Sequence, residues 1–180
     1  MITTLLGWTK SGINIHHVRV GRLFQATAAD SATCRRQLSA VVLQVGSNDF
    51  TDTRCSVEVF VRTLMNYVQR IQQRHTVHRV VIMQILHRKS PLRYRMNITV
   101  EDYNMKVDWA NAEVKNVCVG LPNVLYWEHS KQLRRPDVIS TDGVHVKAKY
   151  VSKYWRSVRG AALLAVRAWS LYLYSSILCK

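Results

Sequence analysis

The chain has 180 residues, 48% of them hydrophobic and 9% aromatic. A length near this supports one domain that buries roughly 70% of its unfolded surface, and the ordinary composition, without repeats or low-complexity tracts, excludes a mainly disordered chain. Lys and Arg number 26 against 11 Asp and Glu, a formal charge of +15 that favours polyanionic partners, although the cations are scattered over "CRRQ", "HRKSPLRYR", "KQLRRP" and "KAKYVSKYWRSVR", as on a solvated basic surface.

At the N-terminus, "MITTLLGWTK" lacks the basic start, apolar run and small-residue cleavage site of a secretory signal. "GINIHHVRVGRL" has the character of one short strand ending near Gly21, and its adjacent His16 and His17 point to opposite faces of any strand. Cys34, Cys55, Cys118 and Cys179 show no CxxC and no metal-ligand spacing, so they are expected to be free thiols of a reducing, cytoplasmic compartment, with no metal and no cofactor. Residues 39 to 45, "SAVVLQV", form a continuous apolar run, the mark of a strand covered on both faces. In the following "SVEVFVRTLMNYVQRIQQR", Phe60, Leu64, Val68 and Ile71 recur at helical spacing, with Ser56 as N-cap. "RVVIMQIL", residues 79 to 86, is a second buried strand, and a helix over about Thr99 to Val117 carries Val100, Tyr103, Val107, Ala110 and Val114 on one stripe. "NVLYWE" is a third strand. A polar loop then leads to a last helix from about Val146. In its far end, "AALLAVRAWSLYLYSSILC", Arg167, Ser170, Ser175 and Ser176 interrupt what would otherwise approach a membrane span, so a packed helix is expected there instead of an anchor. Strands alternating with helices in this way specify right-handed crossovers onto a parallel sheet, hence an α/β fold, a three-layer α/β/α sandwich.

Two loops carry residue types suited to chemistry, and both are expected at the carboxyl edge of that sheet, where open α/β folds bind ligands. One is Gly46-Ser47-Asn48-Asp49. The other is Asp142-Gly143-Val144-His145. An Asp three residues before a His on a Gly turn can fold back onto the imidazole Nδ1–H, so that Asp142 orients and His145 takes a proton. A side-chain amide such as that of Asn48 can donate to a developing oxyanion, a role whose loss costs roughly 3 to 4 kcal/mol of barrier. Taken singly, each motif also has a plain reading: a loop histidine, and turn or cap chemistry. His75, His78 and His87 flank a strand without metal-ligand spacing. His129, after "LYWE", is a candidate for a supporting or substrate-contact role, and Trp109, Trp127 and Trp155 are expected in the core or a groove.

"GSNDF" and "DGVH", in this order and two βα units apart, resemble the third block, GxND, and the last block, DxxH, of the SGNH (GDSL-like) hydrolases. The text "VVLQVGSND", "QILHRKS", Tyr103-Asn104, "LPNVLYWEH" and "KYWRSVRGA" is similar to the branch found as an esterase domain in LINE-type retrotransposon reading frames. The resemblance covers about residues 39 to 165 of a single domain spanning 1 to 180, with 1 to 38 as the remnant of the preceding region and 166 to 180 as a helical extension. It implies a flavodoxin-like sheet and hydrolysis of carboxylic esters, lipid or acetyl, by a Ser-His-Asp mechanism. His145 matches the base, Asp142 its partner and Asn48 an oxyanion donor, while Ser47 falls at the variable position. The sequence departs from the family at the front. Gly7-Trp8-Thr9 stands where Gly-Asp-Ser would, and the 11 residues between Thr9 and Gly21 are too few for a helix and a strand, since three helical turns alone take about 11 residues. Thr9 and Ser11 are therefore poor matches to the nucleophile, which stays unassigned, and Gly21, ahead of Gly12, corresponds to the second-block glycine of the oxyanion hole. The expectation is an SGNH-type domain truncated at its N-terminus and incomplete or inactive as an esterase; the alternative is a catalytically silent module that binds RNA or DNA through its basic surface.

Overall fold

The computed structural model describes residues 3–9, 12–18, 40–75, 77–89 and 98–178. Strands β1 (Thr3–Thr9) and β2 (Gly12–Val18) are followed by β3 (Ala40–Leu43), helix α1 (Val57–His75), β4 (Arg79–Met83), α2 (Val100–Val119), β5 (Val124–Trp127) and α3 (Ala148–Leu178). The β3, β4 and β5 strands lie side by side in that order, all parallel, with Val41 opposite Val80 and Val80 opposite Val124.

Alternation along these strands divides the core in two. Val41, Leu43, Val80, Ile82 and Val124 face α1 and α2, where they meet Phe60, Leu64, Val68, Tyr103, Val107 and Val114. Ala40, Val42, Val81 and Met83 face the other way and pack on Val158, Ala161 and Ala165 of α3. The sheet is therefore covered on both faces, which explains why β3 and β4 are continuous apolar runs and not alternating ones. This is the expected three-layer α/β/α sandwich.

Element boundaries follow local chemistry. Ser56 Oγ accepts from the Val59 N–H at 3.3 Å at the start of α1, and Thr99 Oγ1 accepts from Asp102 N–H at 3.1 Å as the N-cap of α2. The last helix begins at Ala148, two residues beyond the expected Val146, because Val146 is used in an antiparallel bridge with Ile139. The N-terminal region differs more. The expected single strand is the second arm of an antiparallel hairpin in which Thr3 pairs with Val18 and Thr9 with Gly12. Two strands joined by two residues can only pair antiparallel, whereas a parallel pair needs a crossover of a dozen or more. Thr9 ends β1, and β1 runs beside β3. Gly21, Ser11, Cys34 and Cys179 lie outside the described residues, as does the Ser90-Pro91 loop. Among the described residues no helix is long and apolar enough to cross a membrane, and no group of His, Cys, Asp or Glu is arranged to hold a metal.

Candidate active site

β3 ends at Leu43, and the chain turns at Gly46, which adopts φ +102°, a left-handed conformation that favours glycine. The Asp49 N–H closes the turn on the Gly46 carbonyl at 3.1 Å. Asn48 then caps a short 3-10 helix, Asp49–Thr51, and its carbonyl accepts from Thr51 Oγ1 at 2.7 Å. Ser47 is buried and Asn48 is half-buried.

The second loop is pinned at its base by the Ile139–Val146 bridge and by the Ser140 N–H donating to the His145 carbonyl at 2.7 Å. Gly143, at φ +79°, makes the turn. Asp142 is the hub: Oδ1 accepts from the Val144 N–H at 2.9 Å, the His145 N–H at 3.0 Å and the Ser140 hydroxyl at 2.6 Å, while Oδ2 lies 2.5 Å from His145 Nδ1. Burial alone would push this carboxyl up, but the hydrogen bonds from Ser140, the two backbone amides and the imidazole outweigh it and hold Asp142 well below the usual carboxylate range. An ionised carboxylate only accepts, so Nδ1 carries the proton and the neutral ring keeps its lone pair on Nε2. That ring is open to solvent, its side chain 73% exposed. A base oriented in one tautomer is what proton abstraction requires.

The segment after β4 joins the two loops. Arg88 Nη2 donates to the Ser47 carbonyl at 2.6 Å, to Asn48 Oδ1 at 2.9 Å and to Ser47 Oγ at 3.3 Å. Its neighbour Lys89 donates its backbone N–H to the Gly143 carbonyl at 3.0 Å. The Asn48 turn and the Asp142–His145 turn are thus each tied to the segment after β4, one by the Arg88 side chain and the other by the Lys89 backbone. Arg88 is 3% exposed and lies over the Tyr103 ring at 4.7 Å, and the Tyr103 hydroxyl donates to the same Ser47 carbonyl at 2.9 Å. Burial lowers the Arg88 pKa and raises that of Tyr103, each opposed by their mutual contact.

Two asparagines of α2 hold this segment. The Asn111 amide accepts from the Ile85 N–H at 2.9 Å and donates to the Ile85 carbonyl at 3.0 Å; Asn104 does the same for Arg88 at 2.9 and 3.0 Å. They stand in for a neighbouring strand where the β4–β5 ladder has ended. Arg88 and Asn111 carry no role in the sequence reading. The available signal for Asn104 and Asn111 was two amides, two helical turns apart, next to the apolar stripe of α2, since a buried amide demands a backbone or side-chain partner.

His129 is not at the open site. It is 1% exposed, lies between the end of β5 and α3 with Nδ1 2.9 Å from Ser157 Oγ, and burial lowers its pKa to about 4. Trp127 shares that Ser157 hydroxyl through Nε1 at 2.9 Å, whereas Trp109 and Trp155 are 51% and 41% exposed. His87 meets Asp108 of α2 at 2.7 Å. The Cys55 thiol donates to the Ser56 carbonyl at 3.8 Å, and the Cys118 thiol is buried.

No protein-family model and no curated protein matches the chain. Solved structures do. A GDSL-like lipase from Bacteroides thetaiotaomicron superposes with a TM-score of 0.67 at 13% identity over 81% of this chain and 72% of its own. A predicted acylhydrolase from Bacteroides fragilis gives 0.64 at 13% over 78% and 69%. The acetylxylan esterase Axe2 from Geobacillus stearothermophilus gives 0.52 at 14% over 78% and 67%. The α/β fold of this chain, three parallel strands with flanking helices, is thus that of GDSL-like hydrolase structures.

Proposed function

We propose that the chain is an SGNH-type domain whose rim acts on carboxylic esters, acetyl or lipid, with His145 as general base, Asp142 as its orienting partner, and Asn48 with Gly21 as oxyanion donors. The observation that carries this reading is the Asp142–His145 pair, fixed by four hydrogen bonds to Asp142 and tied through Lys89 and Arg88 to Asn48. The esterase and lipase descriptions of the similar structures support the ester as substrate class, and the text around the motifs supports the LINE-type branch.

In a complete site of this kind, a hydroxyl attacks the ester carbonyl as its proton passes to His145 Nε2. Asn48 Nδ2–H donates to the carbonyl oxygen as it gains charge. The imidazolium, held by Asp142, then returns the proton to the departing alkoxide, and water repeats the sequence on the acyl group. No Gly-Asp-Ser triplet occurs in these 180 residues, and the attacking hydroxyl is left unassigned. Without it, turnover is of the residual order, roughly 10³ to 10⁴ over water, that oxyanion stabilisation and binding support without a full triad. Hydrolysis of p-nitrophenyl acetate by the full chain tests this: turnover above blank that His145→Ala abolishes supports the base, and turnover unchanged in that variant removes it.

A second reading, polyanion binding without turnover, draws on α3. Its first turns carry Lys149, Lys153, Arg156 and Arg159, and no acidic residue occurs anywhere in the helix. RNA or DNA held this way would dissociate steeply between about 50 and 200 mM salt, a dependence that ester turnover does not share.

A further inference from the structure

Arg88 is more than a staple between loops, because its contact with Asn48 has a chemical direction. A guanidinium has donors and no acceptor. At 2.9 Å it attracts the Asn48 side chain only if the oxygen faces it; the flipped amide would set N–H against N–H. We infer that Arg88 is a positioning residue that fixes the sense of the Asn48 amide, turning Nδ2–H₂ away from the guanidinium and toward the rim where an oxyanion would form. The inference rests on the reading of Asn48 as an oxyanion donor.

Arg88 is itself held from several sides. Its backbone N–H and carbonyl are both taken by the Asn104 amide, at 2.9 and 3.0 Å. Its guanidinium is buried against the Tyr103 ring at 4.7 Å. The same Nη2 that meets Asn48 Oδ1 also donates to the Ser47 carbonyl at 2.6 Å, so one nitrogen fixes both the backbone leading into Asn48 and the end of its side chain. The Tyr103 hydroxyl donates to that same carbonyl at 2.9 Å. An amide constrained in this way needs no reorientation as charge develops, which is the condition under which an oxyanion donor is most effective. Lysine does not reproduce this arrangement, because an ammonium on a flexible stem lacks the flat guanidinium face that packs on the Tyr103 ring.

The test is Arg88→Lys in the full chain, read by the side-chain amide signals of the ¹⁵N-labelled protein, with the Asn48 pair identified by its loss in Asn48→Ala. The Asn48 pair should shift or broaden while the Asn104 and Asn111 pairs, which report the fold around the segment, stay in place. An unmoved Asn48 pair overturns the inference. Kinetics give the second arm. Arg88→Lys should lower kcat for p-nitrophenyl acetate with KM little changed, by no more than the roughly 10² to 10³-fold that loss of an oxyanion donor costs, and should cost nothing further in the Asn48→Ala background; full additive losses overturn the inference. If the wild-type chain shows no turnover while the Asn48 pair moves as described, the ester reading fails and the hold of Arg88 on Asn48 stands. Should Arg88→Lys not fold, neutron diffraction on the wild-type protein decides: amide deuterons turned away from Arg88 support the assignment, and deuterons facing it overturn it.

Discussion

Replacing Gly46 by alanine tests how tightly the first loop is built. A Cβ at this position would lie 2.5 Å from Ile85 Cδ1 and 2.7 Å from Phe60 Cζ, on a backbone with φ +102°. Both neighbours are buried. Phe60 is 2% exposed and packs on Phe50 with ring centroids 4.8 Å apart, and both backbone polar groups of Ile85 are held by Asn111. The left-handed conformation costs an L-residue about 1 to 2 kcal/mol, and overpacking of a tight core about 1 to 3 kcal/mol. Restriction of the unfolded chain by alanine returns about 0.4 to 1 kcal/mol. The net loss is therefore about 1 to 4.6 kcal/mol, a large share of the roughly 5 to 15 kcal/mol that stabilises a domain. Equilibrium urea unfolding followed by circular dichroism reads this as a midpoint about 0.5 to 2.3 M lower, for a slope of roughly 2 kcal/mol/M. Gly120→Ala is the control: Gly120 sits at φ −82°, and its Cβ would meet only the Val117 carbonyl at 3.8 Å, so its stability should stay within about 0.5 kcal/mol of wild type. Equal midpoints for the Gly46→Ala and wild-type chains would refute the packing described around the turn.

Burial of His129 makes stability depend on acid. Its pKa falls from 6.5 to about 4 because burial disfavours the charged ring, so the unfolded chain binds the proton first as pH drops. The folded state is favoured above pH 6.5 and loses about 3 kcal/mol by pH 4; urea midpoints of wild type and His129→Phe, compared across that window, should show a shallower slope in the variant, and parallel slopes would contradict the assignment. Asn111→Leu leaves the Ile85 N–H and carbonyl without their amide partner, at a cost of about 1 to 3 kcal/mol for each buried group left unsatisfied. Hydrogen exchange at the Ile85 amide should quicken in that variant, and unchanged protection would count against the pairing.

What could be read from the chain depended on how local the cause was. Val41 to Val45 and Val80 to Met83 announce buried strands because both of their faces are covered, and both faces are apolar. The Asp142–His145 pair is legible because the two residues are three apart and a glycine stands between them. Arg88 is not, since its partners Ser47 and Asn48 lie 41 and 40 residues away and nothing in the letters distinguishes it among 26 cations. His129 looks like a rim residue until α3, 28 residues further on, covers it. The N-terminal hairpin escaped the sequence reading for a different reason: "GWTKSGIN" carries no Asn-Gly or Asp-Gly turn of the kind that marks a two-residue connection.

The account stands on the meeting of two turns at one rim, and the most direct measurement of it needs no catalysis. Titration of the full chain with acetate, the product of acetyl-ester hydrolysis, followed by ¹⁵N and ¹³C signals, should move the Asn48 side-chain amide and the His145 ring together along a single saturation curve. Movement of one group without the other, or along separate curves, would show that they do not address a common ligand and would contradict the site.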